Sequence, residues 1–466
     1  MNERARARLL AVLEERYRER TAKSLEIHER ARMVMVRGGS HTLRLWHPYP
    51  LSISRARGPL IWDADGNAYV DYWQGHYANI LGHNPALITD ALRTIHEQGA
   101  LHTGFEETLQ VELAELIVRQ LGDGGLRVRF TTSGTLATMY AVMVAEAYTG
   151  RELVLKIGGG WHGASPYLLK GIKYDKNKGF DHGDSAGVPR SLIRKTLITR
   201  FDDLDDLKRI LISKGDRIAC FILEPFLGAG GFLPVSRAYL EEARRLTERR
   251  GILLILDEII SGFRFCPSGV QTLYGVKPDL SAFGKLIGGG HAVAAVVGRE
   301  DVMRVCEPGA AGIQRAFFEG GTFSAHAEYM TAGLAMIKHL IARAGEIYPR
   351  LTSLGDRLRR GIESAFAESG LETRCTGGGN DVIPGSSLFF IHFPSSKAEG
   401  FSPESLNNQR LSDLDLRERI LKLALLNEGV HVMHGGGAVS AAHGDEDIQK
   451  TIDACAEVGR LLRKYR

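Results

Sequence analysis

Gly251-Ile-Leu-Leu-Ile-Leu-Asp257-Glu258-Ile-Ile-Ser-Gly-Phe-Arg264, followed downstream by Ala282-Phe-Gly-Lys285-Leu-Ile-Gly-Gly-Gly290, is the stretch on which the reading of the fold turns. A short, unbroken apolar run bounded by glycine and by charge is the pattern of a strand buried on both faces, as in a parallel sheet covered by helices. Similar β-rich runs recur at Leu126 to Thr131, Leu153 to Ile157, Ile218 to Leu223 and Val293 to Val297, with helical patterns between them. Strands that alternate with helices predict an α/β fold with a mostly parallel central sheet, here a large domain over residues 85–324. Upstream, Asp65-Gly66 lies between alternating residues 59–72 and predicts a β-hairpin. Residues 3–36 are charged and helix-favouring, so residues 1–84 read as an N-terminal arm and a small-domain segment. Residues 325–466 run as helix, strand, polar loop (395–409) and two more helices, the pattern of a smaller α+β domain.

Composition narrows the class. The 466 residues are 44% hydrophobic and 24% charged, within ordinary globular ranges, which excludes disorder as the main state. A net charge of +4 on this length makes no case for nucleic acid. No apolar run approaches the roughly 20 residues needed to cross a bilayer. The five cysteines are scattered, with no ligand spacing for a metal, and read as free thiols in a reducing compartment. A cytoplasmic protein is expected.

Several residues carry possible chemistry. Ser133-Gly134-Thr135 follows a strand and opens a helix, where unpaired N–H groups and the helix dipole favour an anion such as phosphate. The same residues also suit a plain helix cap. Asp257 ends a buried strand at the edge where α/β sheets bind ligands, and a carboxylate there requires a cationic or hydrogen-bonding partner. Capping the next helix is the alternative. Lys285 sits in apolar surroundings, and a desolvated amine has the lowered pKa of a nucleophile that condenses with carbonyls, unless it snorkels to solvent. Trp161-His162-Gly163 follows another strand and offers a flat aromatic face. Glu319-Gly320-Gly321-Thr322 offers a hydroxyl in a glycine-rich turn, a second possible phosphate contact.

Taken in order, these elements resemble class III aminotransferases, pyridoxal-phosphate enzymes of fold type I, and are most similar to the aminomutase branch of that family. Glu224-Pro225, Gly187-Val188-Pro189 and Tyr274-Gly275-Val-Lys-Pro-Asp279 add to the resemblance, which extends from about Pro59 to the C-terminus. It implies that Lys285 holds pyridoxal 5'-phosphate as an aldimine and that Asp257 pairs with the pyridinium nitrogen. It further implies that Ser133, Gly134 and Thr135 bind the phosphate of one subunit of a homodimer while Thr322 contributes from the other. Trp161 stands where the family stacks an aromatic ring, with His162 and Glu224 beside the cofactor, and residues 158–190 form the expected lid. Arg44, with His41 near it, is the expected holder of a substrate carboxylate. The implied activity is amino transfer from a carboxylate-bearing amino substrate to a carbonyl acceptor, with an intramolecular aminomutase as the alternative. A non-catalytic binding protein on this fold is disfavoured by the presence of both Lys285 and Asp257. The chain departs from the family or branch pattern at Leu136, at His41, and at His434-Gly435-Gly436-Gly437-Ala438, where the aminomutase pattern has a glutamate.

Overall fold

Seven strands form the central sheet: β1 (Leu126–Thr131), β2 (Leu153–Ile157), β3 (Thr196–Thr199), β4 (Ile218–Leu223), β5 (Leu253–Glu258), β6 (Leu280–Phe283) and β7 (Ala294–Arg299). Their spatial order is β1-β7-β6-β5-β4-β2-β3. All neighbours run parallel except at β7, which is antiparallel to both β6 and β1. This is the mostly parallel α/β sheet that the apolar runs predict. The structure, a computed structural model, describes residues 1–99, 102–122, 124–175, 177–309, 315–395 and 411–465. Past Ser395, the polar loop read over 395–409 lies outside the described residues.

Two strands escape the sequence pattern. β3 is only Thr-Leu-Ile-Thr, and β6 is Leu-Ser-Ala-Phe, whose Ser281 and Ala282 have little strand preference. Tertiary pairing makes them strands, since β6 is bonded on both edges, by β5 and by β7. The N-terminal helical stretch is broken at Thr21 into Glu3–Arg20 and Ala22–Val34. The hairpin at Asp65-Gly66 forms between Leu60–Asp63 and Ala68–Asp71, with the Asp63 carboxylate accepting the N–H groups of Asp65 and Asn67.

The chain divides into two compact units. One comprises Met1–Pro85, Arg350–Gly378 and Ser387–Arg466; in it Val430–His431 pairs parallel to Ala68–Asp71, so early and late segments share one sheet. The other comprises Ala86–Pro349 and Gly379–Ser386 and holds the central sheet. Its core packs the small-residue face of helix Gly134–Thr149 (Ala137, Ala141, Val142, Ala145) onto Ile222, Ile255, Ala282 and Val296 of the sheet. Each buried valine or isoleucine side chain contributes about 1.5–3 kcal/mol there.

Helix Ala327–Ala342, which the sequence pattern groups with the C-terminal domain, belongs to the larger unit. The reason is steric fit: a Cβ added at Gly333 would stand 2.4 Å from the Ile287 carbonyl oxygen, and one at Gly289 would stand 2.4 Å from that of Ala332. The helix therefore lies directly against the turn Lys285–Gly288 that follows β6. Gly333→Ala is expected to destabilise the protein, because forcing a methyl against backbone costs about 1–3 kcal/mol while alanine's helix preference returns only about 1 kcal/mol. Urea unfolding reads the sign, and a more stable variant would show that the helix does not rest on that turn.

Candidate active site

β5 ends in Asp257 and Glu258, and strand alternation sends the two carboxylates to opposite faces. Their partners differ accordingly. Glu258 is wholly buried and accepts the backbone N–H groups of Val270 and Gln271 and the Ser261 hydroxyl, so it caps the following segment; burial pushes its pKa up to about 7. Asp257 is also buried, but its Oδ2 accepts from His162 Nδ1 at 2.8 Å and its Oδ1 from the Ile259 N–H at 3.1 Å. The capping alternative thus falls to Glu258.

Lys285 follows β6 by one glycine and takes a left-handed backbone at φ +48°. Parallel pairing sets Ala282 beside Asp257 and Phe283 beside Glu258, so Lys285 leaves the sheet at the same carboxyl edge. Desolvation lowers its pKa to about 8, helped by the like charge of Arg264 and opposed by Asp257 and Glu224. Ile259 connects this lysine to the helix N-terminus: a Cβ at Gly284 would meet the Ile259 side chain at 2.9 Å, and one at Gly134 would meet it at 3.1 Å.

At that N-terminus Ser133 is the cap, its Oγ accepting the Leu136 N–H at 3.3 Å. The plain-cap reading therefore holds for the serine hydroxyl, while Gly134 and Thr135 form the first turn beyond it. Thr135 Oγ1 accepts the Ala164 N–H at 3.2 Å, which ties the turn to the loop after β2. In that loop the Trp161 N–H donates to Glu224 Oε1 at 2.9 Å, the other Glu224 oxygen accepts the Gly228 N–H, and the Trp161 side chain stays 42% exposed. Burial, with the charge of Asp257 nearby, pushes the Glu224 carboxyl well above the usual range. His162 is buried; its carbonyl accepts the Thr138 hydroxyl at 2.6 Å, and burial lowers its pKa. A neutral imidazole with its proton on Nδ1 satisfies the Asp257 bond, and Nε2 has no partner among the described residues.

Ser133, Gly134, Thr135, Trp161, His162, Glu224, Asp257 and Lys285 thus lie in one unit. Thr322 lies in the same unit but in an exposed turn, held near the end of β1 by the Thr131 hydroxyl bonded to the Gly320 carbonyl at 3.0 Å. His41 and Arg44 lie in the other unit. There His41 caps the short turn Thr42–Arg44, and Arg44 is exposed, its Nε donating to His76 Nε2 at 3.4 Å. Sequence inspection missed Lys156, which is wholly buried in the middle of β2. A lysine inside a buried apolar strand was the available signal.

A buried carboxylate, a desolvated amine, a helix N-terminus and an open aromatic face together match what pyridoxal phosphate presents: a ring nitrogen, an aldehyde, a phosphate and a flat ring. The family profile described as Aminotransferase class-III matches residues 44–373. The chain belongs to that family. A glutamate-1-semialdehyde 2,1-aminomutase of Thermoplasma acidophilum is 33% identical over 435 residues, covering 92% of this chain and 97% of the relative. Among solved structures, an omega-transaminase from Sphaerobacter thermophilus is 32% identical with a TM-score of 0.83, covering 93% of this chain and 96% of its own. A beta-phenylalanine aminotransferase from Variovorax paradoxus is 27% identical with a TM-score of 0.82, covering 97% and 96%. This class III enzyme uses pyridoxal phosphate as its cofactor.

With a pKa of about 8, roughly one-tenth of the Lys285 amine is neutral at pH 7, several hundred times more than for an ordinary lysine. Covalent capture of pyridoxal phosphate by the apo-enzyme, followed by visible absorbance, is expected to accelerate with pH and to level off above about 8. A midpoint near that of free lysine, or capture that persists in Lys285→Ala, would remove Lys285 from this role.

Proposed function

We propose that this class III enzyme is an aminotransferase that moves an amino group from a carboxylate-bearing amino substrate to a separate carbonyl acceptor. The observation that carries the proposal is the convergence of Lys285 and Asp257 on one sheet edge, the first with its pKa lowered by burial and the second oriented by His162. When bound, pyridoxal phosphate supplies an electron sink for the electron pair left as the substrate's Cα proton departs.

The protein's own groups perform the remaining tasks. Lys285 Nζ would anchor the cofactor and, as a base whose pKa lies near the operating pH, would take the substrate's Cα proton and pass it on to the cofactor. Asp257 holds a proton at the ring nitrogen by its negative charge, and neutral His162 fixes its orientation without cancelling that charge. Trp161 covers the ring and excludes water, and Glu224 secures the backbone of Trp161. Gly134 and Thr135, behind the Ser133 cap, hold the phosphate at the helix N-terminus. Thr322, exposed on its own subunit, completes the phosphate contact of a second copy in a homodimer. Arg44 meets the substrate carboxylate through its planar fork, with His41 at its side. All five cysteines are free, and among the described residues no helix is long and apolar enough to cross a membrane; we place the enzyme in the cytoplasm.

Separate donor and acceptor are favoured over an intramolecular exchange by the stretch His434–Ala438. Three of its residues have no side chain, and Ala438, buried in a short strand, bonds its N–H to the Tyr72 carbonyl, so this stretch offers no carboxylate. The aminomutase reading retains one support, the names of its relatives at about one-third identity. A donor and acceptor screen decides between them: transamination needs both partners, whereas an aminomutase turns over a single compound in which amine and carbonyl exchange places.

Two variants test the assignments. Asp257→Asn keeps the size but loses the charge, so proton abstraction is expected to slow by orders of magnitude while the cofactor still binds; unchanged kinetics would refute the role. Arg44→Lys is expected to lower kcat/KM for amino acids by about 10- to 100-fold, the worth of a charged hydrogen bond, with little effect on amines lacking a carboxylate. Equal losses on both kinds of substrate would show that Arg44 serves the fold instead.

A further inference from the structure

Lys156 is the one residue of β2 that breaks its apolar run, and it lies at zero exposure. Among the described residues, no carboxylate is hydrogen-bonded to its ammonium. Instead Nζ donates to the carbonyl oxygens of Gly160 at 2.9 Å, Lys170 at 2.8 Å and Leu168 at 3.4 Å. Those three bonds use all three ammonium hydrogens. A methionine or leucine would fill the strand position without the desolvation that a buried cation suffers, so an apolar residue is the expected occupant if packing were the only requirement.

What the cation alone can do is gather carbonyls that converge from irregular backbone. All three belong to residues 160–170, a segment without helix and with only an isolated bridge at Lys170. Trp161 and His162 lie within this segment, next to the Gly160 carbonyl. Other ties of the segment act from different directions: Glu224 on the Trp161 N–H, Thr138 on the His162 carbonyl, Asp257 on the His162 ring, Thr135 on the Ala164 N–H and Thr196 on the Tyr167 carbonyl. Lys156 reaches both ends of it, beside the backbone bond from the Gly159 N–H to the Gly171 carbonyl just outside.

We propose that Lys156 is a positioning residue for the cofactor's stacking face: by drawing the carbonyls of Gly160, Leu168 and Lys170 onto one ammonium within β2, it sets the orientation in which Trp161 and His162 are presented. Two more charges bear on the arrangement. Asp184 and Asp257 attract the ammonium, which keeps it charged at neutral pH although burial pulls its pKa down to about 8. Its positive field in turn adds to burial in keeping His162 neutral, the form that donates to Asp257.

The proposal rests on Trp161 as the stacking residue but not on the identity of the substrate, so its readouts are taken without turnover. Lys156→Met is compared with the wild type for pyridoxal phosphate affinity, for the visible circular dichroism of the bound cofactor, and for protease cleavage within residues 158–190 of the apo-protein. We expect affinity to fall about tenfold, on the scale of a lost charge-assisted hydrogen bond. We also expect a reduced visible dichroism band and faster cleavage in the segment, with the apo-protein's unfolding midpoint nearly unchanged. Wild-type affinity and dichroism in Lys156→Met would overturn the proposal. If that variant does not fold, Lys156→Gln, which keeps donors but no charge, decides: a weakened dichroism band supports the proposal and a native one overturns it. Trp161→Ala separates the two layers, because an unchanged dichroism there would overturn the stacking role itself and the Lys156 proposal with it.

Discussion

A carboxylate at the end of a buried parallel strand must be met by a cation or by hydrogen bonds, and for Asp257 the hydrogen bonds come from a neutral imidazole and one backbone N–H. A hydrogen bond to a charged group contributes about 1.5–3 kcal/mol, and leaving such a group unpaired costs at least as much. The bond to His162 therefore constrains the rest of the site. It requires the loop after β2 to descend to the sheet edge, which brings Trp161 beside Glu224 and Ala164 beside Thr135. It also leaves Asp257 without full charge compensation. Among the described residues no cation is hydrogen-bonded to that carboxylate, and a protonated ring nitrogen is a group of that kind.

Glu258 shows what Asp257 would be without that arrangement. One residue along the same strand, it points to the opposite face, takes two N–H groups and a hydroxyl from the protein, and is fully used in holding the segment around Val270. Sequence alone offers Asp-Glu as a pair of equals. The pleat of the strand makes one of them a structural cap and turns the other to the face where His162 meets it.

The parts of this fold that were legible from sequence are those where one local signal is strong. Five strands show as apolar or β-rich runs, the helix at Gly134 shows by its Ser-Gly-Thr start, and Lys285 shows by its apolar setting before a glycine run. β6 was illegible because its central Ser-Ala pair has no strand character, and only bonding on both edges makes it a strand. The placement of helix Ala327–Ala342 depends on glycine backbone approaching the turn after Lys285, a contact that no periodicity encodes. Lys156 was overlooked for a similar reason, since its three carbonyl partners lie 4, 12 and 14 residues away in a stretch with no regular pattern. The same bonds bear on the expected lid over 158–190: residues 160–170 are fastened at both ends to the buried ammonium.

The division of the chain separates two kinds of information. The groups assigned to cofactor chemistry, from Ser133 through Lys285 to Thr322, all lie in the unit that carries the central sheet, where bonds inside that unit hold Ser133, Trp161, His162, Glu224 and Asp257. His41 and His434–Ala438, two of the departures from the aminomutase pattern, lie in the other unit, as does Arg44. A sequence can therefore change in the second set without disturbing the Asp257–His162 bond, the depressed pKa of Lys285 or the helix N-terminus. That independence explains how a chain at about one-third identity to aminomutases can retain the whole cofactor constellation while its substrate-facing candidates differ.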